Sequence, residues 1–486
     1  MSATENDIMW TPGWRLRELM LRRELSPVEV VGHFLERIER LDPTLNSFIT
    51  VAPEDALRQA RAAEATLSGG GAQPGPLFGL PISLKDNYWT KGLRTTAGSL
   101  VYKDHVPSED SVCAERARAA GAIIVGKTNL PEFALFPRTV NRLTAECVNP
   151  WDTATSSGGS SGGAAASVAA GLTPLAIGTD GGGSIRIPAA LCGVFGLNPS
   201  NGRVPRWGGF GGTLFFSGAG PITRDVRDGA TLFQVLAGAD ARDPSCMKEP
   251  VPDYVRSLDE GVKGLKGLWV RSCGDIGPMD VEVIDAAARA LRRLEDVGLG
   301  VEESASGFGA ERWIEAFYVI MNADRYALFG QQLYEDPSVR GLLSEYGRDH
   351  FSRARTITAA EYVRSMQARI RLVAEWDRMF EGYDVVLSPT VGMTAPPISG
   401  PIVRQPLVAY TFLVNFAGYC AATVPCGFVG GLPIGLQIIA RPNKEALVLR
   451  LAKALEVARP WASHRPPRLE SPVTSGESDA SRSRGS

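Results

Sequence analysis

Apolar positions along the chain switch between two periods. After Ser26-Pro27-Val28-Glu29, the residues Val30, Val31, Phe34, Leu35, Ile38 and Leu41 recur at spacings of three and four. That is one face of a helix, predicted to run to Asp42-Pro43. Ser26 is placed to cap it, Pro27 occupies the first helical position, and Glu29 closes a capping box. Residues 80–84 then form a short apolar strand leading into Lys85-Asp86-Asn87, and 111–120 form a helix stopped by Gly121. A buried strand follows over 122–125 and ends in Gly126-Lys127. Helical periodicity dominates between about 255 and 385, notably over 280–296 and 359–380, and strands return at 384–390 and 435–440. Helix followed by short apolar strand, with glycine at the hinges, predicts an α/β fold. No repeat or composition shift divides the chain, so 1–468 is expected as one large domain. Residues 469–486 are mostly Ser, Arg, Gly and acids, and are expected to be a disordered tail.

One stretch departs from this pattern. From 405 to 440 no charged residue occurs, but Asn415, Pro425 and Pro433 interrupt it. No apolar 20-mer survives, which predicts buried core and not a membrane span. The N-terminus carries acids and no apolar run, unlike a secretory signal. Lys plus Arg total 51 against 53 acids, a net charge of −2, which gives no footprint for nucleic acid or an anionic membrane. Seven Cys without a Cys-x-x-Cys pair suit a reducing cytoplasm and argue against a zinc site. His33, His105, His350 and His464 are far apart, so no His metal motif exists and neither metal nor cofactor is expected. The 53 glycines are the compositional excess, and their placement directs attention to one region.

Residues 156–163 read Ser-Ser-Gly-Gly-Ser-Ser-Gly-Gly ahead of an Ala-rich run, and 178–188 read Gly-Thr-Asp-Gly-Gly-Gly-Ser-Ile-Arg-Ile-Pro. A flexible linker is not embedded between a helical run and a buried strand. A phosphate loop would need Gly-Lys-Ser/Thr or Gly-x-Gly-x-x-Gly, and neither fits. Three glycines before Ser184 can instead aim N–H groups at one point beside a hydroxyl, as an oxyanion hole next to a nucleophile requires. No His lies in a comparable motif to serve as base. A Lys can take that part if burial lowers its pKa, and Lys85 follows an apolar strand.

These motifs resemble the amidase signature hydrolases. Lys85, Ser160 and Ser184 stand at separations of 75 and 24 residues, as in that family's Ser–cis-Ser–Lys triad. Pro81-Ile-Ser-Leu-Lys-Asp-Asn87, Gly126-Lys-Thr-Asn129, Asn149-Pro-Trp-Asp152, Cys192-Gly-Val-Phe-Gly-Leu197 and Gly431-Leu-Pro-Ile-Gly-Leu-Gln437 agree as well, and the resemblance spans roughly 13–457. It implies a central, mixed, twisted sheet with helices on both faces. It further implies that Ser184 attacks an amide carbonyl, Ser160 relays the proton after a cis peptide, and Lys85 is the base. The N–H groups of Gly181, Gly182, Gly183 and Ser184 would form the oxyanion hole, with Asp180 and Arg186 holding the loop and Ser161 assisting. Relatives are often dimers, so a homodimer is the oligomeric state the resemblance allows.

Several positions depart from the family pattern. Gly181 is commonly Thr or Ile, Asn198 replaces a frequent Lys, and Gly418-Tyr419-Cys420 stands where many relatives have Gly-x-Pro. The resemblance implies two functions: a stand-alone amidase, or the A-type catalytic component of a glutamyl-tRNA(Gln) amidotransferase. The latter usually has Gln at the position of Ile187, which favours the former. The segment from Trp207 to Phe216 sets Trp207, Phe210, Phe215 and Phe216 among glycines, with no charge before 223. With Phe136 and Tyr419 it is expected to wall a pocket for a small apolar or aryl amide, lacking a cation to pair a substrate carboxylate.

Overall fold

The computed structural model describes residues 5–69, 73–213, 215–401 and 403–467. The expected tail lies outside them. The anticipated helix start is present: Pro27–Leu45 is capped by the Ser26 hydroxyl, which accepts from the Val28 and Glu29 N–H groups. It runs past Asp42-Pro43, with Pro43 inside its last turn, and stops at Asn46 in the left-handed conformation. The Asp42 carboxylate accepts from the Ser47 and Phe48 N–H groups there, turning the chain into the first strand.

The strands, in chain order, are β1 (Phe48–Val51), β2 (Pro81–Lys85), β3 (Ile123–Thr128), β4 (Val148–Asn149), β5 (Asp152–Ser156), β6 (Leu175–Asp180) and β7 (Phe195–Asn198). They continue with β8 (Gly218–Thr223), β9 (Lys266–Trp269), β10 (Gly300–Glu303), β11 (Val385–Pro389), β12 (Cys420–Val429) and β13 (Leu432–Ala440). Eleven of them form one sheet in the order β1-β3-β2-β6-β8-β7-β12-β13-β11-β9-β10, while β4 and β5 make a separate ribbon. The sheet is mixed: β2 runs parallel to β3 and β6, whereas β8, β7, β12 and β13 alternate antiparallel. Two short strands, β9 and β10, lie inside the region whose periodicity reads as helical. Four residues each, they are too short to interrupt that pattern.

Both faces of the sheet are covered, which accounts for strands that are apolar throughout. Leu175 and Ile177 of β6 pack with Leu436 and Ile438 of β13 under the helices Val226–Leu236, Val281–Asp296 and Glu445–Ala458. Ala176 points the other way, against the helices Gly162–Ala169 and Arg186–Cys192. On that same side Ala421 and Ile439 meet an aromatic cluster from the helices Ile314–Arg325, Ala359–Met379 and Phe412–Ala417. The uncharged stretch after 405 is core, as expected: Leu407, Phe412, Leu413, Val424 and Leu436 are all fully buried. No described helix is long and apolar enough to cross a membrane.

Topology places the chemistry. Because β2 and β6 are adjacent and parallel, with Leu84 opposite Ile177, their C-terminal ends share one edge. Lys85 closes β2 and Asp180 closes β6. Ligands in α/β sheets gather outside such strand ends.

Candidate active site

Lys85 is fully buried, and its Nζ donates to Ser160 Oγ at 2.7 Å, Ser161 Oγ at 2.9 Å and Thr179 Oγ1 at 2.7 Å. Burial pushes its amine well below the ordinary lysine range. The carboxylate of Asp180 opposes that shift, and the guanidinium of Arg325 adds to it. Ser160 follows a cis peptide bond from Gly159, and Ser161 precedes the helix Gly162–Ala169. The Ser161 N–H donates to the Ser184 carbonyl at 3.0 Å, so the two Gly/Ser segments meet across the sequence that separates them. Ser160 and Ser184 line the same cleft.

The loop between β6 and the helix Arg186–Cys192 is held from beneath by Asp180. Its carboxylate accepts from the N–H groups of Gly183 at 2.6 Å, Ile185 at 3.1 Å and Arg186 at 3.3 Å. The Arg186 side chain pairs with both carboxylate oxygens at 2.9 and 3.0 Å, and both residues are wholly buried. Burial would raise the Asp180 pKa, but Arg186 and these N–H groups bring it below the usual value. Asn415 and Gln437 complete the network by accepting from Arg186, and Asn198 accepts from Asn415 at 3.4 Å. Asp180 and Arg186 thus tie the loop to β6 through these hydrogen bonds.

One expectation is corrected here. The Gly183 N–H is engaged by Asp180, so it is not among the donors offered to a ligand. Those of Gly181, Gly182 and Ser184 remain. Gly183 serves the loop differently: its φ is +122°, and an added Cβ would meet Thr411 Oγ1 at 2.2 Å. At Gly181 a Cβ would meet the Ser217 hydroxyl at 2.7 Å. Ser217 fills the space and accepts from the Thr213 N–H, so the loop is buttressed despite its glycine.

The cleft has two lobes that meet at Ser184, Gly181, Ala134 and Arg325. One carries Ser160, Thr179, Asn87, Phe133 and Phe210. The other carries Phe136, Ile187, Phe317, Tyr318 and Met321. Phe210 lines the first lobe and Phe136 the second. The four other aromatics expected there line neither. Trp207 faces an outer groove, edge-on to Trp89 and beneath the Arg242 guanidinium. Phe216 is buried against Phe317 and Phe416, and Phe215 packs on the same cluster. The Tyr419 hydroxyl donates to Asp377 while its ring packs on Trp376 and Phe380. Phe215, Phe216 and Tyr419 thus spend their area on the core, and Trp207 faces the outer groove.

Thr179 and Arg325 are among the cleft residues that escaped the sequence, with Phe317, Tyr318, Met321 and Arg404. Thr179 lies within the Gly-Thr-Asp motif, which was the available signal; its hydroxyl reaches Lys85 only once β2 and β6 are adjacent. Arg325, at the end of the helix Ile314–Arg325, has no local signal at all. It lines both lobes of the cleft.

This geometry has known counterparts. Residues 29–449 match the sequence model of the amidase family. The chain is an amidohydrolase of the amidase signature family. It is 39 % identical over 472 residues to the A-type component of the glutamyl-tRNA(Gln) amidotransferase of Methylococcus capsulatus, covering 92 % of this chain and 96 % of that one. It is 34 % identical over 476 residues to an acylamidase of Rhodococcus erythropolis, covering 95 % and 98 %. A bacterial aryl acylamidase of solved structure superposes with a TM-score of 0.85 at 29 % identity, covering 93 % of this chain and 97 % of that chain.

Proposed function

We propose that the protein is a stand-alone amidase that hydrolyses a small carboxamide with an apolar or aryl portion, through an acyl-enzyme on Ser184. The observation that carries this reading is the fully buried Lys85 amine, 2.7 Å from Ser160 Oγ and held below the ordinary lysine range. A neutral amine there is a base; an ammonium is not. Ser184 Oγ attacks the amide carbonyl, and its proton passes to Ser160, whose own proton passes to Lys85. The N–H groups of Gly181, Gly182 and Ser184 receive the developing oxyanion. The proton returns through Ser160 to the departing nitrogen as the C–N bond breaks. Water then attacks the Ser184 ester by the same route, releasing the carboxylic acid and regenerating the serine. Aromatic residues in both lobes (Phe133 and Phe210, Phe136 and Phe317) favour an apolar or aryl group.

A second reading, the catalytic component of a glutamyl-tRNA(Gln) amidotransferase, draws support from the 39 % identity to such a protein. Against it, an apolar side chain, Ile187, stands in the wall of the second lobe. The test is kcat/KM for an anilide against glutamine, with Ser184→Ala, Lys85→Ala and Ser160→Ala beside the parent. The anilide is expected to be the better substrate. Ser184→Ala and Lys85→Ala should lose about a thousandfold or more, and Ser160→Ala less, because water partly replaces a relay hydroxyl. Faster turnover of glutamine would favour the second reading. Full activity in Lys85→Ala would overturn the mechanism.

A further inference from the structure

Three guanidinium groups line the cleft, and two are engaged. Arg206 donates to the Thr213 carbonyl at 2.7 Å and to Ser245 Oγ at 2.8 Å, and lies beside Asp243. Arg404 lies over the Phe136 ring, 4.7 Å from its centroid. Arg325 differs. It is 6 % exposed, yet among the described residues its one hydrogen bond is a long 3.5 Å contact from Nη2 to the Ala134 carbonyl. Its Nε is buried and has no acceptor. A buried cation short of an acid partner is costly, and an arginine offers five donors in a rigid fork suited to a carboxylate.

Its surroundings supply little of the missing counter-charge. Asp324, next in sequence, receives the Tyr362 hydroxyl at 2.8 Å; its charge acts on Arg325, but burial outweighs it. The Asp180 carboxylate is saturated by Arg186, Asn415 and the loop N–H groups. The buried Lys85 amine feels the positive field of Arg325. The net result is an Arg325 pKa brought down to about 10, as expected for a charge short of counter-charge. The backbone that meets it is unusual: Phe133 and Ala134 both take positive φ, +50° and +57°, and Ala134 lines both lobes with Arg325. Strained non-glycine backbone of this kind concentrates at ligand-binding sites. Opposite, Asn87 is 6 % exposed, lines the first lobe, and its Oδ1 lacks a donor. That leaves an acceptor for a substrate N–H.

We propose that Arg325 binds a carboxylate carried by the substrate itself, so that the amide hydrolysed is a short amido acid. The inference rests on the amidase reading for the reaction and adds the substrate's charge. Because Arg325 borders both lobes where they meet at Ser184, the carboxylate lies only a few bonds from the scissile carbonyl. An anilide of a short dicarboxylic acid meets both demands: its ring occupies an aromatic lobe and its free carboxylate faces the guanidinium.

The probes are succinanilic acid and 4-oxopentananilide, a neutral analogue in which a methyl ketone replaces the carboxylate; both release aniline. The parent enzyme is expected to favour the acid at least tenfold in kcat/KM. In Arg325→Gln that preference should fall to about one, and Arg325→Lys should restore part of it. A parent that favours the ketone, or an Arg325→Gln that slows both substrates equally, overturns the carboxylate site. Succinate binding to Ser184→Ala, followed by calorimetry, judges the site without turnover. Saturable binding weakened at least tenfold by adding Arg325→Gln supports it, and no binding overturns it. If neither anilide is cleaved but succinate binds through Arg325, the aryl-amide reading falls and the carboxylate site stands. If the ketone is cleaved and the acid gains nothing, the reverse holds.

Discussion

Replacing Asp180 by Asn separates the two tasks its carboxylate performs. The substitution keeps the side chain's shape but removes its charge from Arg186, which is wholly buried. Breaking a buried pair by neutralising one partner costs about 3–5 kcal/mol, because the other charge is left in a low-dielectric interior. The unfolding entropy is about 2.1 cal/mol/K per residue. Over 486 residues that is about 1 kcal/mol per kelvin, so the melting temperature should fall by about 3–5 °C. The second task is electrostatic. The Asp180 charge holds the Lys85 pKa up against burial, so its loss lets that pKa fall further. The acidic limb of the pH–rate profile should therefore move to lower pH while the protein becomes less stable. The assays are thermal unfolding by calorimetry, and kcat/KM against pH at a temperature where the variant stays folded. A melting temperature within about 1 °C of the parent would refute the buried-pair argument. An acidic limb displaced upward would refute the electrostatic coupling to Lys85.

Two further outcomes follow from Lys85 and from the loop after β6. In the parent enzyme, the rate should rise with pH as buried Lys85 loses its proton, and activity should persist above about pH 8; an optimum near about pH 5, read from the kcat/KM profile, contradicts a lysine base. Gly183→Ala forces a Cβ against Thr411 at φ +122°, a conformation costing about 1–3 kcal/mol, and should depress kcat more than it raises KM; steady-state kinetics on the anilide decide, and unchanged kcat refutes it.

What the sequence disclosed follows the range of its signals. The serines and Lys85 were legible because each sits in a long local motif, and because a Lys after an apolar strand is readily buried. The capping box at Ser26 was legible for the same reason: its parts lie within one turn. The engagement of the Gly183 N–H was not, since it depends on which way Asp180 turns once β6 has paired. Phe215, Phe216 and Tyr419 were misplaced because an aromatic beside glycine looks the same whether it faces a cleft or the core. Only the packing of Phe317, Phe416 and Trp376 against them decides. Arg325 was least legible. It stands far along the chain from Ser184 in an ordinary helix, and its interest lies in the partner it lacks.

The three hydroxyls around Lys85 carry a consequence in the counting of hydrogens. An ammonium has three N–H bonds and can satisfy Ser160, Ser161 and Thr179 together. A neutral amine has two and a lone pair, so one hydroxyl must reverse and donate to nitrogen. Ser161 is poorly placed to do so, since its hydrogen is given to the Thr179 carbonyl at 3.1 Å. The reversal therefore falls to Ser160 or Thr179. When Thr179 donates, Ser160 stays an acceptor from Lys85; when Ser160 donates, its oxygen is freed to take a hydrogen from Ser184. The two arrangements share every heavy-atom position and differ only by the spin of hydroxyl rotors. Choosing between them sets the direction in which the relay is loaded, and a threonine outside the triad casts the deciding hydrogen.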